Sequence, residues 1–209
     1  MRPFTRHRGI AAPLLRANID TDAIIPSREM RKVSRQGLCA GLFANWRYAD
    51  VAARRPDPEF VLNRPCYANA TILLCGANFG CGSSREFAVW ALAEYGIRVI
   101  VAPSFGAIFR KNCIANGLLP AIVTEAEVQA LARWVEVDPA SRLLAVDLER
   151  AAIGTDLDET PFAIDRADRS RLLRGLDPVS WTLTRADAID AFERERIRAH
   201  SWVDLTGTD

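Results

Sequence analysis

The feature that most constrains this chain is a series of three short apolar stretches separated by two helix-like segments. "ATILLC", over Ala70–Cys75, is continuous and partly β-branched, so it reads as a buried strand. A glycine-rich loop follows, and then a helix over residues 84–95. Within it Phe87, Trp90, Ala91 and Tyr95 fall at i, i+3, i+4 and i+8 and predict one apolar face. Gly96 stands where a left-handed residue closes a helix. "RVIVAPS" predicts a second buried strand, "FGAIFRKNCIAN" a second helix closed by Gly117, and "LLPAIV" a third strand. That order predicts right-handed strand–helix–strand crossovers onto a parallel sheet.

Elsewhere the patterns are weaker. Residues 1–65 show little periodicity: they carry "NIDTDAIIP", a basic stretch over residues 28–35 and the proline-rich "RRPDPEFVLNRP". Beyond the parallel unit, "TEAEVQALARWVE" places a glutamate three residues after Thr124, the pattern of a capping box. "LLAVDLE" and "PFAID" read as short strands, and a final helix is expected near Thr184. The expected class is α/β, with a parallel core sheet plus antiparallel strands.

Composition excludes several functions. A chain of 209 residues can bury a real core as one large domain or two small ones. Its net charge of +1 gives no general attraction to nucleic acid or an anionic membrane. No apolar run approaches the roughly 20 residues of a membrane span, and "MRPFTRHRGIAAPLLRANID" lacks the apolar centre of a secretory signal. A cytoplasmic protein is expected. The five cysteines, Cys39, Cys66, Cys75, Cys81 and Cys113, are odd in number and lack C-x-x-C spacing, which fits free thiols in a reducing compartment. The only histidines are His7 and His200. A histidine-rich metal site is therefore excluded, and hydrolysis by Cys81 or Ser83 would need one of the two to fold back.

The loop "GANFGCGSSREFAVWAL", residues 76–92, carries the chemistry. Glycines between a strand and a helix let backbone N–H groups face a ligand, and the helix N-terminus favours an anion. Ser83 and Ser84 add hydroxyls, and Arg85 adds a cationic fork suited to carboxylate or phosphate. The glycine spacing matches neither the dinucleotide fingerprint nor the P-loop. On the plainer view the serines cap the helix and Arg85 pairs with a surface acid.

"NFGCGSSRE" together with "YGIRVIVAPSF…IF…N…NGLLP" resembles the small subunit of 3-isopropylmalate dehydratase, itself similar to the mobile C-terminal domain of aconitase. "FTRHRGIAAPLLRANIDTDAIIP", "GLFANWRY", "PEFVLN" and "FAIDRADRSRLLRGLDPVSWTL" extend the resemblance over about residues 4–195. It implies one swivelling β/β/α domain over residues 1–209, with residues after about 198 a tail. It further implies a large-subunit partner whose [4Fe–4S] cluster acts as the Lewis acid, with no metal held by this chain. Carried over, Ser83 is the base that takes a proton from carbon, Ser84 hydrogen-bonds the substrate, and Arg85 clamps a carboxylate. Asp22 is the expected contribution of "DTD", and Arg35 the expected second substrate arginine. Cys81 is expected only to pack beside the site.

The chain departs from the family pattern at Phe87, where histidine is usual, and at Gly106 and Ala107, where Ala-Asp is usual. These departures keep other 2-hydroxy dicarboxylates open beside isopropylmalate, of the methylmalate/citraconate or homocitrate type. A non-catalytic anion-binding module is the remaining alternative.

Overall fold

The computed structural model describes residues 1–30, 34–200 and 202. The strands are β1 (Arg6–Leu14), β2 (Tyr48–Asp50), β3 (Arg55–Pro56), β4 (Ala70–Cys75), β5 (Val99–Ala102), β6 (Leu119–Ile122), β7 (Leu144–Asp147), β8 (Ala152–Gly154) and β9 (Glu159–Pro161). The helices are α1 (Thr21–Ile24), α2 (Ala44–Arg47), α3 (Glu86–Tyr95), α4 (Ala107–Asn116), α5 (Glu125–Val137), α6 (Arg166–Arg174), α7 (Pro178–Leu183) and α8 (Ala186–Ala199). Seven strands form one sheet in the order β6-β5-β4-β1-β7-β8-β9, while β2 and β3 form a separate ribbon.

The parallel core lies where the apolar runs predict it: β4, β5 and β6 are parallel neighbours, joined through α3 and α4. Their side chains alternate between two cores. Leu73, Cys75, Ile100 and Ala102 pack with Ala88, Val89, Ala91 and Leu92 of α3. Ile72, Leu74, Val99 and Val101 pack with Val128, Leu131 and Val135 of α5. Burial on both faces is why these strands read as unbroken apolar runs. Each fully buried leucine or valine contributes about 1.5–3 kcal/mol. Gly96 and Gly117 close α3 and α4 in the left-handed region, and Thr124 with Glu127 forms the expected capping box on α5.

Several sequence expectations are corrected. The centre of the sheet is β1, which the weak pattern of "RHRGIAAPL" hides. Its first half, Arg6 to Gly9, pairs antiparallel with β7, and its second half, Ile10 to Leu14, pairs parallel with β4. Pro13 is tolerated in a central strand because β7 has already left that side of the chain. Helix α3 begins at Glu86 rather than residue 84, and its fully buried face is Ala88, Val89, Ala91 and Leu92. Phe87, Trp90 and Tyr95 flank that face, half-buried. In "PFAID" the strand ends at Pro161, leaving Ala163 as an isolated bridge to Ile122. Helices α6 and α7 were not foreseen, and α8 starts at Ala186.

Candidate active site

The glycine loop lies beyond the C-terminal ends of the parallel strands, where ligands of open α/β sheets bind. It is sewn to both neighbouring loops. On the side that follows β1, Gly80 N–H donates to Ile19 O at 2.7 Å, Thr21 N–H to Cys81 O at 3.0 Å, and Asn18 N–H to Ala77 O at 2.8 Å. On the side that follows β5, Phe79 N–H donates to Ser104 O at 3.1 Å and Gly106 N–H to Phe79 O at 2.9 Å. Three segments distant in sequence thus meet as one rigid rim.

Two glycines make the rim possible. Gly80 has φ +72°, and a Cβ there would sit 2.1 Å from the Phe109 ring. Gly106 lies against the Gly80 carbonyl, 2.4 Å from where its own Cβ would stand. At Gly106, a departure from the family pattern, the missing side chain therefore permits a close backbone approach. Ala107 is the exposed first residue of α4, which has no side-chain cap. Phe87 packs on Trp90, ring centroids 4.9 Å apart, so at this position the side chain serves packing.

Ser83 is held through its backbone. Its carbonyl accepts from the Thr21 hydroxyl at 3.0 Å and from Arg85 N–H at 2.8 Å. Thr21 is only 1% exposed. Both serines are exposed, and among the described residues neither hydroxyl has a hydrogen-bond partner. They do not cap α3, whose N-cap residue is Arg85. The N–H groups of Glu86 and Phe87 have no acceptor among the described residues, so the positive end of α3 opens beside the serines.

Asp22 and Arg85 form an ion pair across the loop, and Ser27 Oγ donates to the same Asp22 oxygen at 3.4 Å. Asp20, the other acid of "DTD", caps α1 by accepting from Ala23 N–H at 2.7 Å. Arg35 is not part of this group: its guanidinium lies over the Trp90 ring, 4.7 Å from the centroid. Arg28 is engaged by Glu29 at 3.5 Å, and residues 31–33 of the basic stretch lie outside the described residues. Thr21, which holds the Ser83 carbonyl, is not marked out by the sequence, because nothing local shows its hydroxyl to be buried.

The hydrolase alternative is not assembled. His7 sits at the opposite end of the sheet, with Nε2 2.7 Å from Thr71 Oγ1, and β4 separates Thr71 from the loop by roughly 15–20 Å of strand. His200 packs against Trp202 at 6.0 Å between ring centroids. Neither imidazole is hydrogen-bonded to Cys81 or Ser83. No three ligating side chains converge among the described residues. Cys75 and Cys113 are fully buried, which pushes their thiols well above the usual range, and Cys39, Cys66 and Cys81 are unpaired thiols at separate positions. The described residues bring no set of thiolates together that fits an iron–sulfur cluster.

Comparison with known proteins gives concordant results. Residues 1–126 match the aconitase C-terminal domain, and residues 179–206 match the C-terminal domain of the 3-isopropylmalate dehydratase small subunit. The 3-isopropylmalate dehydratase small subunit of Cupriavidus necator is 56% identical over 209 residues, covering 99% of this chain and 100% of that protein. The one from Methylibium petroleiphilum is 46% identical, covering 97% of both. A crystal structure of 3-isopropylmalate dehydratase from Methanocaldococcus jannaschii superposes with TM-score 0.63 at 25% identity, covering 90% of this chain and 99% of that one. The chain belongs to the family of 3-isopropylmalate dehydratase small subunits, built on the aconitase C-terminal domain.

Proposed function

We propose that this chain is the small subunit of a hydro-lyase that interconverts 2-isopropylmalate and 3-isopropylmalate in leucine biosynthesis, active only with its large subunit. The observation that carries the reading is the Asp22–Arg85 pair beside two exposed serine hydroxyls, unpartnered among the described residues, at the open end of α3. Arg85 clamps one substrate carboxylate, Asp22 aims the guanidinium, and Ser84 hydrogen-bonds the substrate. Ser83 accepts the proton removed from carbon. The small rotation of backbone needed to misplace it is resisted by the two hydrogen bonds on its carbonyl.

Exposure of Ser83 supports a two-chain site. A serine hydroxyl in water is too weakly acidic to exist as an alkoxide, so a base needs a surface that excludes water and concentrates the field of α3 and Arg85. The large subunit is the natural source of that surface, and the [4Fe–4S] Lewis acid belongs on it. Full-length relatives at 46–56% identity favour isopropylmalate over the methylmalate or homocitrate type and over a non-catalytic module. We further take the chain as one domain with a tail beyond about residue 198, working in the cytoplasm. No helix among the described residues is long and apolar enough to cross a membrane. The test is to mix this chain with a cluster-bearing large subunit and follow isopropylmalate isomerisation beside citraconate and homocitrate. Turnover restricted to either of the latter would refute the substrate assignment.

A further inference from the structure

Glu94 is an acid in the last turn of α3, where the helix dipole disfavours negative charge. Its position requires a tertiary partner, and it has two. Oε1 accepts from Gly37 N–H at 2.6 Å and Oε2 from Cys39 N–H at 2.8 Å. Burial alone would raise its pKa, but the backbone donors of Gly37, Cys39 and Leu38 outweigh burial and hold the carboxyl below its ordinary value. One turn earlier on the same helix, Trp90 carries the Arg35 guanidinium. Trp90 is itself fixed, since Nε1 donates to Asn116 Oδ1 at 3.1 Å, and Asn116 Nδ2 donates to Glu86 Oε1 at 2.8 Å.

Helix α3 therefore holds Arg85 at its N-terminus and the Arg35 segment at its C-terminal half. The axial rise from residue 85 to residue 90 is about 7.5 Å, and from 90 to 94 about 6 Å. We propose that Glu94 is the positioning residue for the Arg35 segment: by gripping Gly37 and Cys39 it sets the spacing between the Arg35 and Arg85 guanidiniums, and so the dicarboxylate both can reach. The proposal rests on the dehydratase assignment above and on Arg35 reaching the substrate as a second arginine from its place on Trp90, outside the Asp22–Arg85 group.

The experiment uses the reconstituted two-subunit enzyme with isopropylmalate. Glu94→Gln is expected to raise KM about tenfold, the scale of one lost charge-assisted hydrogen bond, with kcat within about twofold. Glu94→Asp should recover part of that loss. Hydrogen exchange at Gly37 and Cys39 should speed up in Glu94→Gln. The deciding measurement is the double variant with Arg35→Ala. If Glu94 acts through Arg35, the double variant has the KM of Arg35→Ala alone. Multiplying effects, or an unchanged KM in Glu94→Gln beside normal wild-type turnover, overturn the role of Glu94 and leave the enzyme assignment standing. Absence of turnover in the wild-type complex with every diacid overturns the assignment itself, and the role of Glu94 with it.

Discussion

Asp22 and Arg85 stand 63 residues apart and pair across the mouth of α3, one contributed by the loop after β1 and the other by the loop after β4. Asp22 is half-exposed, so the pair adds little stability, about 0–1 kcal/mol. On the proposed function its role is to orient Arg85. Replacing Asp22 by Asn should raise KM about two- to fivefold in the assembled enzyme, a change within the energy of an exposed ion pair. Arg85→Lys, which keeps the charge and loses the fork, should cost about tenfold in kcat/KM, and Arg85→Ala about a hundredfold. Steady-state kinetics would remove Arg85 from carboxylate recognition if both arginine variants matched wild type.

Ser83→Ala separates chemistry from assembly. The side chain is exposed and makes no hydrogen bond among the described residues, so melting temperature and subunit association should stay at wild-type values. Loss of the base should lower kcat by about 10²–10⁴-fold. Wild-type turnover in this variant would assign proton abstraction to another group.

Gly80→Ala tests the rim. The substitution meets both a positive φ and the Phe109 ring at 2.1 Å, and should destabilise the chain by about 2–4 kcal/mol. In a chain of this size that lowers the melting temperature by roughly 10 °C, measurable by differential scanning calorimetry. A melting point unchanged by the substitution would show that the loop can open at no cost.

His7 sets an acid limb of stability. Its imidazole is held below the ordinary value of 6.5, first by burial and then by the positive charge of Arg98. The unfolded chain therefore binds the proton more readily, and stability is full above about pH 6.5 and falls as pH drops towards the folded pKa. The depressed carboxylates Glu94 and Asp147 act lower, below their ordinary values of 4.5 and 3.8. His7→Gln should flatten the melting-temperature profile in the window just below about pH 6.5. An identical slope in that window with and without His7 would assign the acid limb to other groups.

Much of the parallel unit was legible along the chain. The strands β4, β5 and β6 announced themselves because both faces are buried, and Gly96, Gly117 and the Thr124–Glu127 box marked helix ends through purely local geometry. The loop that carries Ser83 and Arg85 was legible for the same reason. Strand β1 was not: its arginines, glycine and proline suit a strand only because β7 covers one half and β4 the other. Arg35 could be named by resemblance but not placed, and its guanidinium lies on Trp90, apart from the Asp22–Arg85 pair.

By itself the sequence determined the order of buried strands and helices and the glycine-rich loop between β4 and α3. Apolar period, helix caps and left-handed glycines act within a few residues, so they can be read along the chain. The tertiary structure decided that Thr21 turns its hydroxyl onto the Ser83 carbonyl, that Asp22 meets Arg85, and that Glu94 grips the segment beyond Arg35. Those contacts follow from β1 lying beside β4 and from α3 packing against the Cys39–Gly41 turn, long-range pairings that no local run of residues encodes.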